Sequence, residues 1–218
     1  GAIFWMWVIA LLGMATGYSE SLLGQLYKVR DSNGEFRGGP AYYIKMGLNK
    51  PWIAVLFSIC LFIGYGFVFS SVQANTMADA LNNTYQISPM VSGVVIVLVA
   101  LPIVLGGVRT VAKVSSLLVP VMGLTYLLIA LVICLINIDK IPGIFALIIN
   151  SAFGLQEAGG GAIGAAIING IKRGLYSNEA GSGTVPHAAA CASPNPHHPA
   201  VQGYVQMLGV FIDTIVIC

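Results

Sequence analysis

Few side chains in this sequence can do chemistry, so those that can are easy to find. In the stretch FVFSSVQANTMADAL, Ser70, Ser71, Gln73, Asn75 and Thr76 interrupt a run that is apolar on both sides. Gln73 offers a carbonyl acceptor and an amide donor, enough to bond the ammonium or the carboxylate of a substrate. Phe69 lies four residues earlier and shares a helix face with it. An aromatic ring beside an amide suits a small amino acid with a short side chain. The plainer reading is interhelical hydrogen bonding, which polar groups in membranes do routinely.

A second stretch, LQEAGGGAIGAAIINGIKRGLYSNEAGSG, carries Gly159, Gly160, Gly161 and Gly164 near the middle of an apolar run. Each glycine costs a helix about 1 kcal/mol relative to Ala. Inside a bilayer, any backbone group it frees needs a partner other than water. Transporters use such breaks, because unwound backbone at membrane depth can hold a carboxylate, an ammonium or a sodium ion. The alternative is close helix packing through small residues. Glu20 and Asp213 are carboxylates inside apolar runs, candidates for a cation or proton relay and equally for interhelical partners or for groups facing a water-filled vestibule near the interface. Asp79 and Glu157 lie nearer the ends of their runs and read as interfacial.

Other chemistries find no support. His187, His197, His198 and Cys191 lack zinc-ligand spacing. AGSGT has no GxSxG elbow, and no GK[ST] follows GGGAIG. Cys60, Cys134, Cys191 and Cys218 form no CxxC pair and read as small buried hydrophobes. No catalytic pair is recognisable, and no enzyme is expected.

The elements that must position these residues follow from composition. Of 218 residues, 57% are hydrophobic and only 8% charged, whereas a soluble domain is about one quarter charged. So few charges cannot cover a water-soluble surface, and a net charge of +2 is too small to suggest nucleic acid. Spanning the hydrocarbon takes about 20 apolar residues. The runs that qualify are Gly1 to Tyr27, Trp52 to Leu81, Met90 to Leu105 with Pro102 inside, Ser116 to Ile136, Gly154 to Leu175, and one from about Ala200 onward. Ile138 to Ser151 is apolar but short, and fits a re-entrant or surface helix.

Charge placement checks this count. Lys28, Arg30, Arg37, Lys45 and Lys50 fall in one loop, Arg109 and Lys113 in another, and Lys172 and Arg173 after the fifth span. Only Lys140 falls on the opposite side, so nine of the ten basic residues share the side expected to be cytoplasmic. That orientation sends the first span inward and predicts at least one span before it. The chain opens on Gly1 and stops at Cys218 within apolar runs, so an internal piece of a longer protein is expected.

Four stretches carry a resemblance. GAIFWMWVIALLG, with Trp5, Met6 and Trp7, is similar to the signature of the alanine or glycine:cation symporter family, the sodium:alanine symporters. GGPAYYIKMGL resembles that family's GGPxYYI loop. RGLYSNEAGSGTVPHAAA resembles its RGLFSNEAGxGSxPxAHA stretch, and GYVQMLGVFIDTIVIC its GxxxMLGxFxDTIIVC helix. The resemblance implies an all-α membrane protein with a leucine-transporter-like inverted-repeat bundle. Residues 1–218 would be one partial transmembrane domain of about six helices, the second to the seventh of that fold.

The resemblance further implies secondary active import of a small neutral amino acid, alanine or glycine. A sodium ion, or a proton, would be the coupling ion, and no cofactor is expected. Gln73, Phe69, Gly160, Gly161, Ala162 and Gly164 would face the amino acid. Ala162 departs from the bulky residue many members carry after the two glycines, which would enlarge the pocket. Sodium ligands in this fold come mostly from helices outside this chain, so no ion site is named. The partners implied are the amino acid, sodium and the bilayer, in the plasma membrane of a prokaryote. The competing readings are a sodium-independent uniporter or channel, and a broader amino acid–polyamine transporter.

Overall fold

In hydrocarbon, backbone groups must bond within their own segment, so long apolar runs become helices. A computed structural model describes residues 1–32, 34–154 and 160–218. In chain order these form α1 (Ala2–Leu26), β1 (Val29–Arg30), β2 (Phe36–Arg37), α2 (Pro40–Gly47), α3 (Pro51–Ile63), a π-helical turn (Gly64–Phe69), α4 (Ser70–Tyr85) and α5 (Pro89–Leu105). Then come α6 (Gly107–Ile136), a 3-10 turn (Ile138–Lys140), α7 (Ile141–Ala152), α8 (Gly160–Asn178), α9 (Val185–Cys191), α10 (Pro199–Phe211) and a second π-helical turn (Ile212–Ile217).

Among the described residues, four helices are long and apolar enough to cross a membrane: Ala2–Leu26, Pro51–Tyr85, Gly107–Ile136 and Pro199–Ile217. α5 is a shorter apolar helix with Pro102 inside. The expected fifth span, Gly154 to Leu175, is represented by α8, which is described from Gly160 and extends to Asn178. Lys172, Arg173 and several glycines lie within α8, whose 19 described residues are long enough but not apolar enough to join those four. A six-span count therefore depends on α5 and α8 crossing as well.

Three expectations need correction. α6 starts at Gly107 rather than Ser116, so Arg109 and Lys113 are helical; long basic side chains can lie along a helix end and still reach water. The loop after α1 contains strand structure: Val29 pairs with Arg37 and Arg30 with Phe36 in an antiparallel hairpin. Asp31 closes it, accepting from the Glu35 amide at 3.0 Å and pairing with Arg37 at 2.8 Å. Finally, all four cysteines are exposed on the chain rather than buried.

Contacts divide the chain into two units: Gly1–Ser58 with Ile138–Cys218, and Ile59–Asn137. The first is organised around α1, which packs against α8, α9 and α10. Its buried residues, Met6, Ala10, Gly13, Gly17, Ser21 and Gly24, recur every three or four positions, as one helix face requires. Small residues there let backbones approach. A Cβ at Gly170 of α8 would lie 2.5 Å from the Trp5 Cβ and 2.6 Å from the Ala2 carbonyl oxygen. Trp5 also donates its indole N–H to the Ala152 carbonyl at 3.3 Å. In the second unit, α5 packs against α4 and α6. Ala78 and Ser92 are buried there, while α6 buries none of its residues.

Candidate functional site

In the second unit, a π-helical turn, Gly64–Phe69, sets the residues expected to meet substrate. Its wider register lets the Ser70 hydroxyl donate to the Tyr65 carbonyl, five residues back, at 2.9 Å. The Phe69 ring stacks on Tyr65, with centroids 4.3 Å apart and planes 18° from parallel. Ser71 and Thr76 donate to the carbonyls of Phe67 and Val72, and Asn75 donates to Asp79 at 3.0 Å. The polar run is therefore mostly satisfied within its own helix. Gln73 is the exception: it is exposed and makes no side-chain hydrogen bond among the described residues. It follows Phe69 by one helical turn in α4.

In the first unit, Gly160, Gly161, Ala162 and Gly164 are helical and lie in the first described turns of α8. Gly159 and Glu157 lie outside the described residues, so the break expected at Gly159 is not located. A Cβ at Gly164 would meet nothing within 4 Å, whereas Gly170 and Gly174 approach α1 closely. Close packing thus belongs to the C-terminal glycines of α8, which sequence reasoning did not single out.

Sequence reasoning also missed a polar network where α8 meets its following loop. Asn178 is buried; its Nδ2 donates to the Thr214 hydroxyl at 3.1 Å, and its Oδ1 accepts from the Ala180 amide at 3.0 Å. Fully buried Thr214 donates to Asp213 at 3.1 Å, and Ser177 donates to the same carboxylate oxygen at 2.7 Å. Glu20 of α1 accepts from the Gly181 amide at 3.0 Å. Thr184 donates to the Glu179 carboxylate. The backbone follows: Gly181 and Gly183 both have φ near +87°, where glycine is unstrained.

Asp213 thus accepts from another helix, α8, whereas Glu20 accepts from the loop that follows α8. The signal was the density of amide, hydroxyl and glycine residues in SNEAGSGT. Further along, the His187 ring bonds the Gly183 carbonyl through Nδ1 at 2.7 Å and lies against Gly39. Tyr43 of α2 is half-buried; burial, with the Glu20 carboxylate adding to it, pushes its phenol up to about 12.

Comparison with known proteins identifies the family. The profile of the sodium:alanine symporter family matches residues 1–218. The chain is similar over its full length to the amino-acid carrier protein AlsT of Bacillus subtilis, at 48% identity, covering 46% of that protein. It is 46% identical to the probable sodium/glutamine symporter GlnT of the same organism, covering 45% of it. It is 40% identical to the sodium/alanine symporter AgcS of Methanococcus maripaludis, covering 49%. The chain spans about half the length of the curated relatives it matches.

Proposed function

The chain belongs to the sodium:alanine symporter family and is an integral membrane protein, and on that premise we propose that its full-length parent imports a small neutral amino acid, alanine or glycine, together with sodium. The observation that carries this reading is the family match over all 218 residues. Relatives named for sodium and alanine support the coupling ion and the substrate class. The relative named for glutamine makes that amino acid the first competitor to test. We assign the protein to the plasma membrane of a prokaryote and its fold to the leucine-transporter-like class, on the same family ground.

Two substrate contacts are proposed, each with its own support. Gln73 is an exposed amide without a partner among the described residues, within the apolar span Pro51–Tyr85 and one turn from Phe69. A lone amide in hydrocarbon is unfavourable until something bonds it. The other is the glycine-rich stretch of α8, Gly160, Gly161, Ala162 and Gly164, where backbone groups freed at membrane depth suit a carboxylate.

Uptake by the reconstituted full-length protein tests this. Accumulation of alanine under an inward sodium gradient should collapse when potassium replaces sodium. Gln73→Ala should lower uptake about ten-fold, the effect of one hydrogen bond to a charged group, with no loss of folded protein. Uptake that survives the potassium swap would remove sodium coupling and leave proton coupling or facilitated diffusion. Preference for glutamine over alanine and glycine would overturn the substrate assignment alone.

A further inference from the structure

Where α1 ends and α10 begins, a cavity of about 210 Å³ opens in the first unit. Lys28, Phe36, Ser193, His197, His198 and Gln25 line it, and among the described residues no carboxylate does. Lys28 is fixed in place. Its Nζ donates to the Gln25 side chain at 2.7 Å and to the Ala192 carbonyl at 2.9 Å, and lies 4.1 Å from the centre of the Phe36 ring. Gln25 is itself buried and donates to the carbonyls of Ala189 and Ala192. The Arg30 guanidinium approaches the same Phe36 ring at 5.1 Å.

His198 caps α10 by accepting from the Ala200 amide at Nδ1, 3.2 Å away. That bond leaves the ring proton on Nε2, as a donor. The cavity is thus bordered by an ammonium, an imidazole donor and a hydroxyl, with no negative charge to balance them. Desolvation lowers the pKa of Lys28, and the neighbouring Cys191 only partly offsets this. An anion in the cavity would restore what burial removes. Two membrane-length helices terminate at its rim, which places it at headgroup level.

We propose that this cavity is a phosphate site, filled by the headgroup of an anionic phospholipid. Three donors around a cavity of this size match phosphate oxygens, and basic pockets between helix ends are where such headgroups bind. The site shares no residue with the proposed substrate contacts and does not depend on transport.

Native mass spectrometry of the full-length protein in detergent, with phosphatidylglycerol and phosphatidylcholine, tests it. The wild type should retain phosphatidylglycerol over phosphatidylcholine. Lys28→Gln should reduce retention of the anionic lipid about five-fold, the effect of one interfacial cation, and leave phosphatidylcholine unchanged. Lys28 also anchors Gln25 and Ala192, so the double variant His197→Gln/His198→Gln, which keeps that anchor, should shift retention in the same direction by less. Its unchanged thermal midpoint verifies the fold. Phosphatidylglycerol that survives millimolar inorganic phosphate identifies the lipid as occupant. Displacement by phosphate would overturn the lipid as occupant and leave a free-phosphate site. Equal retention by the wild type and both variants would overturn the site altogether.

Discussion

The two units hold their polar groups in opposite ways. In the first, polar side chains bond across elements: Asn178 to Thr214, Ser177 to Asp213, Glu20 to the Gly181 amide, and Trp5 to the Ala152 carbonyl. In the second, they bond within one helix: Ser71 to Phe67, Thr76 to Val72, and Thr125 to Val121. The tightly packed glycines lie in the first unit: Gly24 and Gly170 sit against neighbouring backbone, whereas Gly64, Gly93 and Gly123 of the second unit, like Gly143 and Gly164 of the first, meet nothing. Apolar packing provides little drive between helices in lipid, so close approach and shared hydrogen bonds decide which helices associate. By that criterion the first unit is a packed body, and the second is a set of helices whose faces are left to lipid or to other polypeptide.

The sharpest test of this contrast uses glycine. At Gly170 an added methyl would meet the backbone of α1, which cannot rotate away. Gly170→Ala should therefore destabilise by about 1–3 kcal/mol, the usual effect of overpacking, read as a lower thermal midpoint of the full-length protein. Gly123→Ala in α6, in open space, should be neutral or slightly stabilising through helix propensity. Equal losses at the two sites would break the contrast. Gly164→Ala is the third member of the series: it should leave stability intact and alter uptake instead.

The contrast also explains what could be read from the sequence. Membrane-length runs were legible because hydropathy alone defines them, and α1, α3 through α4, α6 and α10 appear where the apolar residues stand. Boundaries were less legible. α6 begins early because Arg109 and Lys113 are compatible with a helix end, and charge was read as loop. The glycines of α8 were noticed where they cluster, at Gly160 and Gly161. Those that pack, Gly170 and Gly174, are defined by what α1 places opposite them, which no local pattern states. Among the site residues, the exposure of Gln73 could not be foreseen. Five polar residues in one run look alike until backbone carbonyls have claimed three of them and Asp79 a fourth.

Hydrogen bonding gives the next test, with an effect of the same order. Thr214 is fully buried and bonds both Asn178 and Asp213. Thr214→Val keeps the shape and orphans the Asn178 amide, which should destabilise by about 1–3 kcal/mol. Thr125→Val in α6 removes only a bond to its own helix, from an exposed position, and should change stability by less than about 0.5 kcal/mol. Chemical denaturation of the purified protein reads both. If Thr125→Val proved as damaging as Thr214→Val, hydroxyls in the second unit would hold tertiary structure after all.

The smallest effect is confined to alkaline pH. The Tyr43 phenol ionises near 10.0 in an unfolded chain, and burial with the nearby Glu20 carboxylate holds it to about 12 in the fold. Below pH 10 both states are protonated, and the fold carries no penalty. As pH rises from 10 through 12, the unfolded chain ionises first, so stability falls across that window. Tyr43→Phe removes the ionisable group and should flatten this alkaline limb while leaving the neutral-pH midpoint nearly unchanged. Tyr85→Phe, at an exposed position in the second unit, is the control. An alkaline limb unchanged by Tyr43→Phe would mean that α2 does not keep its phenol out of water. The contact between α2 and the Glu20 region of α1 would then be looser than the rest of the first unit.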